Sequence, residues 1–446
     1  MASAVEQLAR NANWGALAKA TELKKRLLFV MIALLVYRLG TYIPVPGIDP
    51  VVWKEIFAQK GGGILDMFNM FAGGALSRMT IFALAIMPYI SASIIMQLAS
   101  SMSPKLEAMK KEGESGRMKI NQYTRYLTVI LAAVQAYGLA VGLESMQGSM
   151  GPAVISAGMF FRISTVITIV GGTVFLMWLG EQITQRGVGN GISLIIFAGI
   201  VAELPRAFAS MLELGRQGTF SGITLLFIFA MIVGVIVFIV FMERAQRRVV
   251  VQYPKRQVGN KMFMGDQNHI PLKINTAGVI PPIFASSLLL LPLTIVGFSG
   301  MDGGGVLGEV SRFLSHGSPV YMFTYAALIV FFCFFYTAVV FNPQENAEML
   351  RKYGGFIPGI RPGAPTAEYL DFVLTRITAI GAAYLVFICL LPELLISKFA
   401  MPFYFGGTSL MIVVTVTMDT VAQIHSHLIA HQYEGLIKKA KLGGKR

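Results

Sequence analysis

Charge is scarce in this chain, since Asp, Glu, Lys and Arg make up only 13% of its 446 residues. A typical soluble domain carries about 25% charged residues. So few charges would not cover the surface of an ordinary cytosolic enzyme of this length. The hydrophobic fraction of 55% also excludes an intrinsically disordered chain, which lacks apolar residues. The composition therefore predicts a protein that folds in a lipid bilayer.

Cysteine and histidine are almost absent, with two and five residues respectively. Cys333 and Cys389 both lie in apolar runs, so they support neither a disulfide framework nor a zinc site. His427 and His431 are four residues apart and could share a helix face as metal ligands, but Leu428 stands where a metalloprotease motif needs glutamate. No histidine falls in the middle of an apolar run, which argues against buried haem ligation. The sequence indicates no metal and no cofactor.

Two segments near predicted helix starts leave alternatives. The glycine-rich run GVGNG at residues 187–191 resembles a phosphate-binding loop. No Gly-Lys-Ser/Thr follows it, so a flexible start to a helix is the favoured interpretation. Residues 5–23 fit either an amphipathic helix on the membrane surface or a short disordered arm. They are polar and amphipathic, unlike the start of a cleavable signal peptide.

Long apolar runs are what the sequence has in place of charge. A bilayer core needs about 20 mostly apolar residues per helix, and runs of this order recur ten times along the chain. They are residues 27–42, 79–104, 127–143, 163–180, 187–202, 217–242, 274–301, 313–344, 377–392 and 399–418. We therefore predict ten membrane-spanning helices.

The basic residues are sorted between alternate loops. When the termini and every second loop are assigned to one side, that side holds 28 of the 37 Lys and Arg residues. Basic residues accumulate in the cytoplasmic loops of membrane proteins. Both termini are therefore predicted to be cytoplasmic.

Ionisable residues are nearly missing from the centres of the runs, because Arg38, Glu181 and Asp419 fall near run ends. Ion-coupled transporters need an acidic or histidine relay near the membrane midplane. We expect no such relay here. This counts against an inverted-repeat secondary transporter for a small solute, which is the alternative hypothesis for the function.

The second and seventh runs share a proline pattern. One contains IMPYISAS at residues 86–93 and the other IPPIFASS at residues 280–287. Proline loosens a helix by removing a backbone donor, and small residues let helices approach and separate. The pattern predicts a movable seam between two inverted halves of five helices each. Two ordinary kinked helices are the alternative.

A short apolar segment precedes the second run. Residues 64–71 (ILDMFNMF) are too few to span a bilayer, and glycines flank them at 61–63 and 73–74. Such a piece is predicted to be re-entrant and buried in protein. If it moves on its glycine hinges, it is a candidate plug.

Several longer strings carry a resemblance to a known family. They are DMFNMFAGGALSR (66–78), MPYISAS (87–93), KEGESGR (111–117), GEQIT (180–184), GNGIS (189–193), AGVIP (277–281), PGIRPG (358–363) and PFYFGGTS (402–409). On these strings the chain resembles the SecY family, the channel subunits of bacterial Sec protein translocases. The resemblance runs over nearly the whole chain.

The resemblance implies an all-α membrane protein with ten transmembrane helices in two inverted five-helix halves and a short re-entrant plug helix. The implied parts are a cytoplasmic N-terminal arm (1–22), a first half (23–205) containing the plug (64–74), an external hinge loop (206–222), a second half (223–425) with large cytoplasmic loops (243–273 and 342–376), and a basic cytoplasmic tail (426–446).

The resemblance also implies roles for particular residues. The hydrophobic pore ring would consist of Ile86, Ile90, Ile192, Ile196, Ile283 and Ile412. The plug would contain Ile64, Leu65, Met67, Phe68, Asn69, Met70, Phe71, Gly73 and Gly74. The lateral gate would contain Pro88, Ser91, Gln97, Asn275, Pro281 and Pro282.

The basic cytoplasmic loops would dock partners through Arg247, Arg248, Arg256, Lys261 and Arg361. Basic side chains suit phosphate-rich RNA and acidic protein surfaces, although cytoplasmic anchoring alone explains most of the charge. Many family members carry two adjacent arginines at the tip of the first large loop. The equivalent pair here is Asn260-Lys261, so one charge is missing.

The function implied is that of a passive channel and not an enzyme. It would translocate unfolded secretory polypeptides across the bacterial plasma (inner) membrane and release hydrophobic segments laterally into the lipids. The ATPase SecA or the ribosome would supply the work, and the small subunits SecE and SecG would complete the complex. No cofactor and no DNA are implied.

Overall fold

A computed structural model of the chain describes residues 21–60, 69–148, 151–218, 222–253, 256–258, 261–263, 267–298, 318–399 and 407–443. Over these residues the chain is mostly helical. The helices are α1 (Thr21–Gly40), α2 (Pro50–Lys60), α3 (Met87–Met102), α4 (Pro104–Lys111), α5 (Glu114–Ser145), α6 (Met159–Arg186), α7 (Gly191–Arg216), α8 (Gly222–Arg244), α9 (Ile280–Phe298), α10 (Pro319–Val340), α11 (Pro343–Lys352), α12 (Ala364–Phe399) and α13 (Gly407–Gly443).

Short strands connect some of the helices. They are β1 (Gln147–Gly148), β2 (Gly151–Pro152), β3 (Gln246–Gln252), β4 (Arg256–Val258), β5 (Lys261–Phe263) and β6 (Gln267–Lys273). They pair antiparallel as β1 with β2, β3 with β6, and β4 with β5. The two pairs between α8 and α9 fill the first of the loops predicted to be large and cytoplasmic.

Six helical stretches among the described residues are long and apolar enough to cross a membrane. They are Glu114–Glu144, Met159–Arg186, Gly191–Glu213, Gly222–Arg244, Pro319–Lys352 and Ala364–Leu391. Each of the ten predicted apolar runs overlaps a helix, the other four being α1, α3, α9 and α13. The helical, membrane-spanning class is as predicted, and the count of ten spans stays a prediction.

The chain divides into two units. Unit 1 comprises Met1–Ser210, Leu291–Arg312 and Ile412–Arg446, and unit 2 comprises Met211–Leu290 and Phe313–Met411. The break after Ser210 lies close to the predicted boundary at residue 205, whereas the greater part of α13 falls in unit 1. The two inverted halves stay a prediction.

Unit 1 is packed through small residues and stacked aromatic rings. Gly172 of α6 lies so close to the chain before α3 that a Cβ there would fall 2.1 Å from the Ile81 carbonyl oxygen. The Phe82 ring stacks on Tyr37 of α1 at 6.2 Å and on Phe175 of α6 at 6.0 Å, measured between centroids. Small residues permit such close approach between membrane helices, so α1, α6 and this segment pack against each other.

Unit 2 carries a β-hairpin that packs on the chain before α12. Val249 and Val251 alternate along β3 and are both buried, as period-two burial requires. The backbones of Gln252 and Phe356 exchange two hydrogen bonds of 2.9 Å. The hairpin and its neighbours share one apolar cluster of Val249, Val251, Leu272, Ile357, Leu370 and Ile377.

The prolines of the shared pattern lie in the first turns of helices. Helix α3 starts at Met87 with Pro88 in its first turn, and α9 starts at Ile280 with Pro281 and Pro282 next. Proline is tolerated in a first turn because its missing N–H would have no helical acceptor there. These prolines therefore start helices and do not interrupt them, and the movable seam between the two halves stays a prediction.

Helix α7 continues well past the end of its apolar run. The predicted hinge loop, residues 206–222, is helical as far as Arg216, with Pro205 inside the helix. Ala207 and Met211 are four residues apart and both buried, at 0% and 2% exposure. Burial of this stripe offsets the backbone hydrogen bond that Pro205 does not donate.

Two further regions predicted as loops or tail contain helix. Helix α11 and the start of α12 lie within the predicted loop 342–376, and α13 extends through the predicted tail to Gly443. Asn342 caps α11, because its side chain accepts from the backbone N–H groups of Gln344 and Glu345. Polar and charged residues therefore form ordered helices outside the apolar runs.

Candidate functional site

The second part of the predicted plug is ordered and buried. Ile64, Leu65, Met67 and Phe68 lie outside the described residues. Asn69, Met70 and Phe71 form a short helical piece, and turns follow from residue 72 to residue 86. Asn69, Met70 and Phe71 are at most 4% exposed. We call residues 69–78 the seat segment.

Backbone carbonyls of the seat segment receive hydrogen bonds from two neighbouring helices. The Tyr37 hydroxyl of α1 donates to the Ala72 carbonyl at 3.3 Å, and Arg38 Nη1 donates to the Gly73 carbonyl at 2.7 Å. From α2, Trp53 Nε1 donates to the Leu76 carbonyl at 2.8 Å. Buried carbonyls need such donors, and these three bonds fix the segment on α1 and α2.

Asn69 closes the seat segment on itself. Its Oδ1 accepts from the Ser77 backbone N–H at 2.8 Å, and its carbonyl accepts from the Gly74 N–H at 2.8 Å. Gly73 and Gly74 have φ of +62° and +80°, in the left-handed region that glycine tolerates best. The glycines flanking the short apolar segment therefore make a tight turn in this structure.

The same turn contacts α7 without side chains between the two backbones. A Cβ on Gly73 would fall 2.8 Å from the Gly199 Cα, and a Cβ on Gly199 would fall 3.1 Å from the Phe71 carbonyl oxygen. Glycine is needed at both positions for this approach. The seat segment thus also packs directly against α7.

An ion pair also joins the seat segment to α7. Arg78 Nη2 of the seat segment lies 3.7 Å from Glu203 Oε1 of α7, and the Glu203 side chain is 3% exposed. The apolar run ended at Ala202, so the sequence analysis missed Glu203 as a mid-span residue. The helix-forming residues after Pro205 were the signal that α7 continues. Glu203 is therefore an exception to the expectation that span centres carry almost no charge.

The six predicted pore isoleucines differ in burial. Ile86, Ile90, Ile196 and Ile412 are buried, at 2%, 6%, 4% and 2% exposure, whereas Ile192 and Ile283 are half-buried. Five of them belong to unit 1, and Ile283 belongs to unit 2. Their assignment to one ring stays a prediction.

The predicted gate residues of unit 1 lie on α3. Pro88 is buried in the first turn, and Ser91 is 7% exposed. Gln97 is half-buried, and its Nε2 donates to Ser93 Oγ at 3.1 Å. Helix α3 therefore carries both polar residues, such as Ser91 and Gln97, and buried apolar residues, such as Ile94.

The predicted gate residues of unit 2 lie at and before the start of α9. Pro281 and Pro282 are buried. Asn275 is 3% exposed, and its Nδ2 donates to Glu243 Oε1 at 2.6 Å and to the Gly278 carbonyl at 3.1 Å. Glu243, another buried carboxylate, was not singled out from the sequence.

The predicted docking residues lie in unit 2. Arg247 and Arg248 are exposed on β3, and Arg361 is exposed just before α12. Arg256 lies in β4, and Lys261 opens β5 opposite Val258. Asn260 lies outside the described residues. Since β3 pairs with Phe356, the structure brings the two predicted docking loops together.

Several solved structures have a fold similar to that of this chain. The chain resembles a solved protein-conducting channel with a TM-score of 0.66 and 19% identity, covering 90% of this chain and 92% of that one. A second structure concerns the plug domain of a SecY protein, which its description says stabilises the closed state (TM-score 0.62, 19% identity, the same coverages). Sec61 in the canine ribosome-channel complex gives a TM-score of 0.59, again at 19% identity and the same coverages. The chain therefore has the fold of these solved channel proteins.

The sequence comparisons are more specific than the fold. The SecY family model matches residues 80–421. The protein translocase subunit SecY of Rickettsia conorii is 56% identical over 421 residues, covering 94% of this chain and 97% of the relative. The subunit of Escherichia coli K12 is 55% identical, covering 95% and 96%. The chain belongs to the SecY family, and the predicted resemblance is confirmed.

Proposed function

We propose that this protein is the channel through which unfolded polypeptides cross the bacterial plasma (inner) membrane. Membership of a family of translocase channel subunits assigns it to channels and not to catalysts. The observation that carries the proposal is the seat segment, a short helical piece and turn held on α1, α2 and α7 mainly through its backbone. Such a stretch blocks a path when seated and clears it when displaced.

The six isoleucines are proposed as the narrow ring around the translocating chain. Branched apolar side chains make a constriction that is hard to wet, and such constrictions gate by dewetting. They also offer no strong polar contacts that would stall a moving polypeptide. Burial of four of the six supports positions inside the protein and not on its lipid surface.

Lateral release of apolar segments is proposed between α3 and α9. Burying about 20 apolar residues in lipid is favourable, and polar contacts between membrane helices contribute only about 0.6 kcal/mol each. Ser91, Gln97 and Asn275 would therefore tune opening without locking it. A disulfide engineered between α3 and α9 should block export, and normal export by a fully crosslinked protein would refute the gate.

The partners and placement are proposed as follows. SecE and SecG complete the complex, and SecA or the ribosome drives transport from the cytoplasmic side, where both termini lie. Solved relatives include Sec61 bound to a canine ribosome, and exposed arginines on the two large loops suit such a partner. The two halves are residues 23–205 and 223–425, with a shortened hinge after α7.

The channel is tested against the alternative of a small-solute transporter by crosslinking. A photoreactive residue replaces Ile283, and a secretory chain is stalled during translocation into vesicles. An adduct between position 283 and the stalled chain is expected. Ile163, an exposed residue of α6, is the matched control and should give none. Failure to form the adduct, with solute uptake that depends on the protein, would favour the transporter.

A further inference from the structure

Glu203 is a buried carboxylate that the channel function above does not use. It lies near the middle of the apolar span Gly191–Glu213, and its side chain is 3% exposed. A charge at membrane depth is costly unless it is paired, and ionisable residues kept there mark functional positions. The neighbours of this carboxylate therefore indicate its role.

The cation beside Glu203 comes from the seat segment. Arg78 Nη2 is 3.7 Å from Glu203 Oε1, the one ion pair of Glu203 in the described part of the chain. Arg78 is itself held by the turn after α1, since its guanidinium lies 4.3 Å from the Tyr42 ring centroid and Nη1 donates to the Thr41 carbonyl at 3.4 Å. The arginine is thus fixed in a position that faces the carboxylate.

Glu203 also packs directly on the turn of the seat segment. A Cβ added to Gly74, whose φ is +80°, would fall 2.4 Å from Glu203 Oε1. The carboxylate therefore fills the space that any larger residue at position 74 would need. The ion pair with Arg78 and the close packing on Gly74 both involve the Glu203 carboxylate, next to the Gly73–Gly199 backbone contact.

We propose that Glu203 is a positioning residue for the plug, holding the seat segment closed through Arg78 and Gly74. This inference rests on the proposed channel function. It names the interaction that sets how readily the closed channel opens. When the seat segment leaves α7, the carboxylate stays in the apolar span without its cation. The cost of that unpaired charge shifts the equilibrium toward the closed state.

The test measures the resting seal. The purified translocase complex is reconstituted in liposomes without substrate, and efflux of entrapped potassium ions is recorded. Glu203→Gln should raise the efflux about tenfold, the change that corresponds to about 1.4 kcal/mol of lost closed-state preference. The matched control is Glu213→Gln, an exposed carboxylate on the same helix, which should keep the wild-type seal.

Variants of Arg78 separate a positioning role from a general packing role. Arg78→Lys keeps the cation and should stay nearly as tight as wild type, whereas Arg78→Gln should leak. The double variant Arg78→Gln/Glu203→Gln should leak no more than the worse single variant, because the two residues form one interaction. The unfolding midpoint of each solubilised variant shows whether it folds. If Glu203→Gln does not fold, the Lys and Gln variants of Arg78 still test the pair.

The outcomes distinguish this inference from the channel function. Wild-type complex that fails to translocate a secretory protein in the same liposomes contradicts the function itself. If wild type translocates while Glu203→Gln seals as well as wild type, only the positioning role is overturned. Independent leaks that multiply in the double variant would overturn it as well.

Discussion

Asn275 donates a 2.6 Å hydrogen bond from Nδ2 to Oε1 of Glu243, and both side chains are buried in unit 2. Glu243 lies at the end of α8 and Asn275 lies just before α9, so the bond spans the whole strand-containing loop between them. Hydrogen bonds to charged groups are stronger than those between neutral groups. The start of α9 is therefore fixed to α8 at the base of the loop.

Asn275→Leu should destabilise the protein. It removes the amide donor and leaves the Glu243 carboxylate buried with one hydrogen bond fewer, a loss of about 2 kcal/mol. The unfolding midpoint of the solubilised complex should fall by several degrees. Thr276→Val is the control, because the Thr276 hydroxyl donates to the Lys273 carbonyl at an exposed position. Equal midpoints for the two variants would contradict the role of the buried pair.

Gly74→Ala should open the resting channel. Alanine at φ near +80° is strained by about 1–2 kcal/mol, and its Cβ would also collide with the Glu203 carboxylate. Gly218 has φ of +78° with open space around it, so Gly218→Ala carries the strain without the collision. Potassium efflux from liposomes should rise for the first variant only. Efflux from Gly74→Ala that is no higher than from Gly218→Ala would contradict the role of the collision with Glu203.

Ile192→Asn should make the predicted pore ring leak. A polar side chain makes a hydrophobic constriction easier to wet, so ion efflux through the resting channel should rise. Ile192→Leu keeps the apolar volume and should retain the seal. If the asparagine variant is as tight as wild type while still exporting protein, Ile192 does not line the constriction.

Arg361→Gln should weaken ribosome binding by removing one contact to an RNA phosphate. Each such contact contributes about one unit to the slope of log affinity against log salt. Titration of ribosomes at several salt concentrations should show a slope smaller by about one. Arg216→Gln, which removes an exposed arginine on the predicted outer side, should leave the slope unchanged. A slope that is the same for Arg361→Gln and wild type would remove Arg361 from the docking surface.

The parts of the fold that depend on long stretches of sequence were predictable. Every apolar run overlaps a helix, because a run of about 20 residues has few other solutions in lipid. A turn at Gly73 and Gly74 was also foreseeable from the two glycines, since glycine tolerates left-handed backbone, and their role as a hinge stays a prediction. The family followed from long strings that no short motif could replace.

The ends of the helices could not be read from the same runs. The runs measure hydropathy, whereas helix boundaries depend on capping and packing. Pro88 therefore opens α3 although its run starts at residue 79, and α7 passes Pro205 because Ala207 and Met211 are buried. Glu203 was missed because the apolar run ends one residue before it, and its pairing with Arg78 depends on a contact between residues far apart in the chain.

The seat segment receives its bonds from Tyr37 and Arg38 on the carbonyls of Ala72 and Gly73. Every residue type has a carbonyl, so these bonds specify where the chain runs and not which side chains it carries. Replacing the side chain at position 72 would therefore leave the carbonyl that accepts from Tyr37 in place, whereas replacing Tyr37 or Arg38 would remove a donor. The donors on α1, and not the side chain at position 72, fix the course of the backbone at this point.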